Sequence, residues 1–127
     1  MKLTAKKQAF SMIEILIVVM IIGALAVMVG RGIRRRLEKI KVNQTKTTIA
    51  SIKGSLLEYY TEKGGYPKSL DEIASYFDKG IIPKDEWGNE FEYNKPPVRY
   101  KNEYKKYEIY SLGPDEEESE DDIHNGA

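Results

Sequence analysis

Apolar residues fall into two regimes along the chain. From Phe10 to Gly30 the sequence FSMIEILIVVMIIGALAVMVG runs for 21 residues with one charge, Glu14. At about 1.5 Å per helical residue this is long enough to cross a hydrocarbon core of about 30 Å. Between Arg31 and Glu62 there is no proline, and glycine occurs only at Gly32 and Gly54. The spacing therefore predicts a single helix from Phe10 to about Glu62, stopped by Gly64-Gly65. Projected at about 100° per residue, Val42, Ile49, Ile52, Leu56 and Tyr60 share one face, with Ile33, Leu37 and Ile40 almost opposite. A straight helix cannot bury both stripes against one small head. The later stripe is expected to pack under a globular part and the earlier one to face other copies, unless the helix bends or breaks near Asn43.

Shorter signals follow. Ser69-Leu70-Asp71-Glu72 has the form of a capping box opening a short helix from Leu70 to about Asp78, with Leu70, Ile73 and Tyr76 or Phe77 inward and Gly80 closing it. Residues 91–94 and 104–112 read as two strands, the second alternating Tyr107, Ile109 and Ser111 against Glu108, Tyr110 and Leu112. An antiparallel pair on the long helix makes the fold class α+β. The expected boundaries are a leader at 1–9, a spanning helix at 10–30, its amphipathic continuation at 31–62, and a head at 63–127 with an acidic loop at 111–123.

Composition changes this picture in three ways. The 127 residues leave fewer than a hundred for the head, so its core is thin and a further staple is expected. With no cysteine, that staple is not a disulfide, and thiolate metal sites and cysteine nucleophiles are excluded. Net charge is zero, yet Arg31, Arg34, Arg35, Arg36, Lys39 and Lys41 crowd beside the apolar run while Asp115 to Asp122 reads DEEESEDD. The basic cluster suits lipid head groups or acidic surfaces of neighbouring copies, and no nucleic-acid partner is expected. The one histidine, His124, is expected to be solvated, and no phosphate loop or nucleophile pattern occurs, so the chain is not read as an enzyme.

A carboxylate in a spanning helix costs about 2.5–3.5 kcal/mol at its centre, and such residues usually have a partner. Upstream of Glu14, MKLTAKKQA carries three lysines and no acid. Cleavage between Ala9 and Phe10 would create an α-amino group about one turn from Glu14, within reach from a neighbouring chain too. Lys2, Lys6 and Lys7 followed by an apolar run and Ala24-Leu25-Ala26 also fit an ordinary signal peptide, leaving a chain that starts at Val27. The apolar run continues past that cut, and a charge inside it is unusual.

K-K-Q-A-F-S-M-I-E resembles the processing site of type IV pilins and type II secretion pseudopilins. The resemblance implies that a prepilin peptidase cleaves between Ala9 and Phe10, that Phe10 is N-methylated, and that Glu14 aids subunit assembly. Ala9 stands where the family mostly has glycine, and Arg31 where it commonly has a helix-interrupting proline. Three further stretches match in order. Gly65-Tyr66-Pro67 resembles the family's G-x-Y-P turn. Asp85-Glu86-Trp87-Gly88-Asn89 resembles D-P-W-G-N, and Ser111-Leu112-Gly113-Pro114-Asp115 resembles S-L-G-x-D. Together they point to the major, or G-type, pseudopilins.

The resemblance implies a type IV pilin-like fold and a structural role as a subunit of the type II secretion pseudopilus. Such a subunit polymerises through its N-terminal helix to support export of folded proteins across the outer membrane. Its implied partners are copies of itself, minor pseudopilins, prepilin peptidase, the inner-membrane assembly platform and membrane lipid. It also implies an inner-membrane anchor with the head in the periplasm, whereas the Lys and Arg count around the span alone favours a cytoplasmic head. The family motif is the more specific signal. Its acidic loop implies calcium, with the side chains of Asp115 and Asp122 and the Leu112 carbonyl as ligands and Glu117 as a further candidate, although the family's glycine-rich middle is here replaced by acids. A type IV or competence pilin would share the first 30 residues, but its head is commonly closed by a cysteine pair, absent here. A soluble secreted binding protein would lose the apolar run.

Overall fold

The computed structural model describes residues 9–119 and 122–127. The leader lysines Lys2, Lys6 and Lys7, and Glu120 and Asp121 of the acidic run, lie outside the described residues.

Helix α1 spans Met12–Lys63 and passes Gly23, Gly30 and Asn43 without interruption, so the alternative of a break near Asn43 is not realised. It stops at Gly64, which takes a φ of 78° and donates its N–H to the Tyr60 carbonyl at 2.8 Å. A left-handed residue at this place favours glycine, which has no β-carbon to clash.

The chain divides after Leu37 into two compact units. In the first, every large apolar side chain from Met12 to Val29 is at least 50% exposed, so no face of that half is covered. The second unit begins at Glu38 and contains the rest of α1 and the head. Here Thr45, Ile49, Ile52 and Leu56 are buried and Val42 partly so. Tyr60, on the same projected stripe, remains 39% exposed, although its ring lies 4.7 Å from that of Tyr66.

Three antiparallel strands lie in the order β1 (Glu92–Asn94), β2 (Glu108–Ser111), β3 (Ile123–Gly126). Tyr93 faces Ile109 across one pair and Ile109 faces Asn125 across the other. The sequence pattern predicts the first two strands; the third comes from the tail. All four residues of β2 are buried, so its expected alternation is not seen. The reason is a second cover: Arg99 and Tyr100 fold over the side opposite the core, where their N–H groups bind Glu108 and the Tyr100 ring meets Tyr110 edge-on at 5.7 Å.

The core gathers Ile49, Ile52 and Leu56 of α1 with Ile73, Phe91, Tyr107, Ile109 and Ile123. Fully burying one such aliphatic side chain contributes about 1.5–3 kcal/mol. The expected helix from Leu70 to Asp78 is instead two 3₁₀ segments, Leu70–Tyr76 and Asp78–Gly80, with Phe77 extended between them. Tyr76 and Phe77 both pack on the core. In a continuous helix these adjacent side chains would diverge by roughly 100°, so the chain straightens to turn both inward.

Candidate functional site

Ser11 and Glu14 meet at the start of α1. The Ser11 N–H donates to Glu14 Oε2 at 3.1 Å, and the Glu14 N–H donates to Ser11 Oγ at 3.3 Å. This reciprocal capping box satisfies two backbone donors at the helix end. Sequence reasoning recognised the pattern at Ser69–Glu72 but missed it in Ser11-Met12-Ile13-Glu14, where the apolar run drew attention to the charge alone. The cap holds the Glu14 carboxylate at the positive end of the helix dipole, next to the backbone of residues 10 and 11. Ala9 and Phe10, the residues expected to flank the processing bond, are both exposed.

In the head, the turn and loop motifs prove to be one hydrogen-bonded assembly. Asp85 is buried, and its Oδ1 accepts N–H donors from Trp87 at 3.1 Å and Asn89 at 2.8 Å. Its Oδ2 accepts from Ser111 Oγ at 2.6 Å, and Ser111 Oγ accepts from the Gly113 N–H at 3.1 Å. Gly88, with a φ of 84°, closes the turn by donating to the Asp85 carbonyl at 3.0 Å. From α1, Thr45 Oγ1 accepts the Glu86 N–H at 3.3 Å. Asp85 therefore joins Asp-Glu-Trp-Gly-Asn to Ser-Leu-Gly-Pro-Asp. The third motif docks nearby: Tyr66 packs 4.7 Å from Tyr107, and the buried Pro67 offers its carbonyl to Tyr93 Oη at 2.8 Å.

Glu108 is a second buried carboxylate that sequence reasoning placed only as a strand residue. Burial works to raise its pKa, but N–H donors from Arg99 and Tyr100 and the Asn94 amide carry it below the ordinary carboxylate value. His124, expected in solvent, lies in β3 and is half-buried; its ring stacks on Tyr100 at 3.9 Å, with Tyr104 Oη 3.0 Å from Nδ1. The tail carrying it forms a strand once β2 is present to pair with, which no local signal announces.

Of the residues expected to hold calcium, Asp122 and Asp115 make contacts within the loop. Asp122 Oδ2 pairs with Arg99 Nη1 and accepts the Ser119 N–H at 3.3 Å, and its Oδ1 accepts Ser119 Oγ at 3.2 Å. Arg99 Nη2 takes the Ser119 carbonyl at 2.7 Å. Asp115 is exposed; its Oδ1 accepts the Glu117 N–H at 3.3 Å and its Oδ2 lies 3.5 Å from Ser119 Oγ. Leu112 immediately precedes the 3₁₀ turn Gly113–Asp115, and Glu117 is exposed. Ser119 thus links Asp115 to Asp122. Among the described residues, however, no group of three or more acidic or histidine side chains could hold a metal ion. The described carboxylates by themselves fall short of the six to eight oxygens that calcium takes.

Residues 33–126 match the family described as Type II secretion system (T2SS), protein G. The chain belongs to this family. The Type II secretion system core protein G of Escherichia coli (strain K12) is 32% identical over 142 residues, covering 98% of this chain and 94% of that relative. The protein of the same description from Klebsiella pneumoniae is 28% identical over 137 residues, covering 94% of each. The crystal structure of the major pseudopilin from the type 2 secretion system of enterohaemorrhagic Escherichia coli has the same fold. Its TM-score is 0.59 at 22% identity, over 71% of this chain and 90% of that one. The protein G match takes in the later part of α1, the Asp85 assembly and all three strands.

Proposed function

We propose that this chain is the major structural subunit of a type II secretion pseudopilus. One observation carries the reading. The first half of α1 is apolar and uncovered on every side, while the later half is fastened into a folded head. An uncovered apolar helix of this length needs a bilayer before assembly and copies of itself afterwards. The helix is the only one among the described residues long and apolar enough to cross a membrane.

In this reading prepilin peptidase removes residues 1–9, and Phe10 becomes an N-methylated amine. The amine pairs with Glu14 of its own or a neighbouring chain, and the capped position of Glu14 supports this, since the carboxylate already sits beside residue 11. The anchor lies in the inner membrane with the head in the periplasm. The chain polymerises on the inner-membrane assembly platform, with minor pseudopilins as further partners, and the role is structural rather than catalytic.

The mature N-terminus tests this, read by mass spectrometry of the membrane fraction. A chain starting at Phe10 and carrying one added methyl group is expected. A chain starting at Val27 would mean an ordinary signal peptide and would remove the assembly helix on which the proposal stands.

A further inference from the structure

The acidic segment from Asp115 onward needs a positive counter-charge, and one is present within the chain. The Asp122 side chain is only 1% exposed. An ionised carboxylate that deep is costly without a partner. Arg99 supplies it: Nη1 pairs with Asp122 Oδ2 while Nη2 donates to the Ser119 carbonyl at 2.7 Å, so one guanidinium grips two points of the loop. The rigid fork suits a carboxylate and a carbonyl side by side, which the single ammonium of lysine does not.

The fork is itself held in place. The Arg99 N–H donates to Glu108 Oε1 at 3.0 Å, which anchors the residue to β2. Its guanidinium carbon lies 5.2 Å from the ring centres of both Tyr100 and Tyr110, within cation–π range. Tyr100 is fixed in turn by its N–H bond to Glu108 Oε2 at 2.6 Å and by stacking on His124.

We propose that Arg99 is the resident cation of the acidic loop, tying Ser119 and Asp122 to the sheet and making the folded head independent of calcium. A divalent ion at Asp122 would have to displace the guanidinium or sit against its like charge. Of the expected ligands, the Asp122 carboxylate is the one the arginine already uses, and the second arm of the same guanidinium holds the loop through the Ser119 carbonyl.

Thermal unfolding of the full chain in detergent tests this. All nine tyrosines and the single tryptophan lie beyond residue 58, so near-ultraviolet circular dichroism reports the head and not the spanning helix. The wild-type melting temperature should be the same in a chelator and in millimolar calcium chloride. Arg99→Gln should lower it by roughly 10 °C or more, since it strands a buried carboxylate. Arg99→Lys, with charge but no fork, should fall between the two. A wild-type melting temperature several degrees higher in calcium than in chelator would overturn the proposal, as would an Arg99→Gln variant as stable as wild type. Should Arg99→Gln not fold, the loss is only larger, and the wild-type comparison still decides.

Discussion

Asp85 shows how one side chain turns separate motifs into a structure. Its carboxylate accepts from two backbone N–H groups and one hydroxyl, all in a buried place. Hydrogen bonds to a charged group contribute about 1.5–3 kcal/mol each, though not additively. Asp85→Ala is therefore expected to destabilise the head by about 3 kcal/mol or more, measured by urea unfolding of the detergent-solubilised chain; a loss under about 1 kcal/mol would show that the assembly is dispensable. Gly126 is constrained differently. A β-carbon there would run into the Tyr107 carbonyl oxygen and the Tyr104 ring, so Gly126→Ala should lower the melting temperature of the head and disturb the β3 edge. Glu14 acts outside the head. Glu14→Leu should leave insertion and cleavage intact yet reduce recovered filaments, because it removes the carboxylate without lowering hydrophobicity. Normal filament yield from that variant would discard the pairing with the Phe10 amine.

Among the elements, α1 carries two different surfaces in one continuous helix. Its later face was legible from period alone: Ile49, Ile52 and Leu56 sit in the core, where an apolar stripe at helical spacing should be. Thr45 was not legible, because its place in the stripe depends on the hydroxyl meeting the Glu86 N–H of a distant turn. Ile52→Ala should cost about 2–5 kcal/mol, the range for emptying a buried aliphatic position. Leu37→Ser, at a position 52% exposed, should change head stability by less than about 0.5 kcal/mol. Comparing the two by head-specific circular dichroism checks whether the helix faces are assigned correctly. The strands were less visible. Residues 92–94 and 108–111 have local β character, but Ile123–Gly126 becomes a strand only through its ladder to β2 and the grip of Lys53 Nζ on Asn125 Oδ1 at 2.9 Å.

At the scale of the whole molecule, pH reads out two hydrogen-bonded carboxylates, one buried and one at the surface. Glu108 and Glu72 have pKa values lowered by folding, so their stabilisation is complete above the ordinary value of 4.5 and is lost as pH falls through the folded values. Glu72 owes its shift mainly to the Lys68 N–H at 2.5 Å and the Ser69 N–H at 3.3 Å. The head's melting temperature should be flat from neutral pH to about 5 and fall below that, with a shallower fall in Glu108→Gln, which loses one of the titrating groups. At the other end, burial pushes the Tyr107 hydroxyl up to about 12, so its contribution persists below the unfolded value of 10.0 and is lost as pH rises through the folded one. The sequence by itself determined the spanning helix, its amphipathic continuation, the glycine stop and the order of the turn motifs. These depend on period, composition and residues a few positions apart. Only the tertiary structure decided that Asp85 joins two motifs, that the acidic tail ends as a strand, that His124 is stacked, and that Arg99 answers Asp122. Each of those depends on groups at least 12 residues apart in the chain, brought together by burial and directional hydrogen bonds that a linear pattern does not encode.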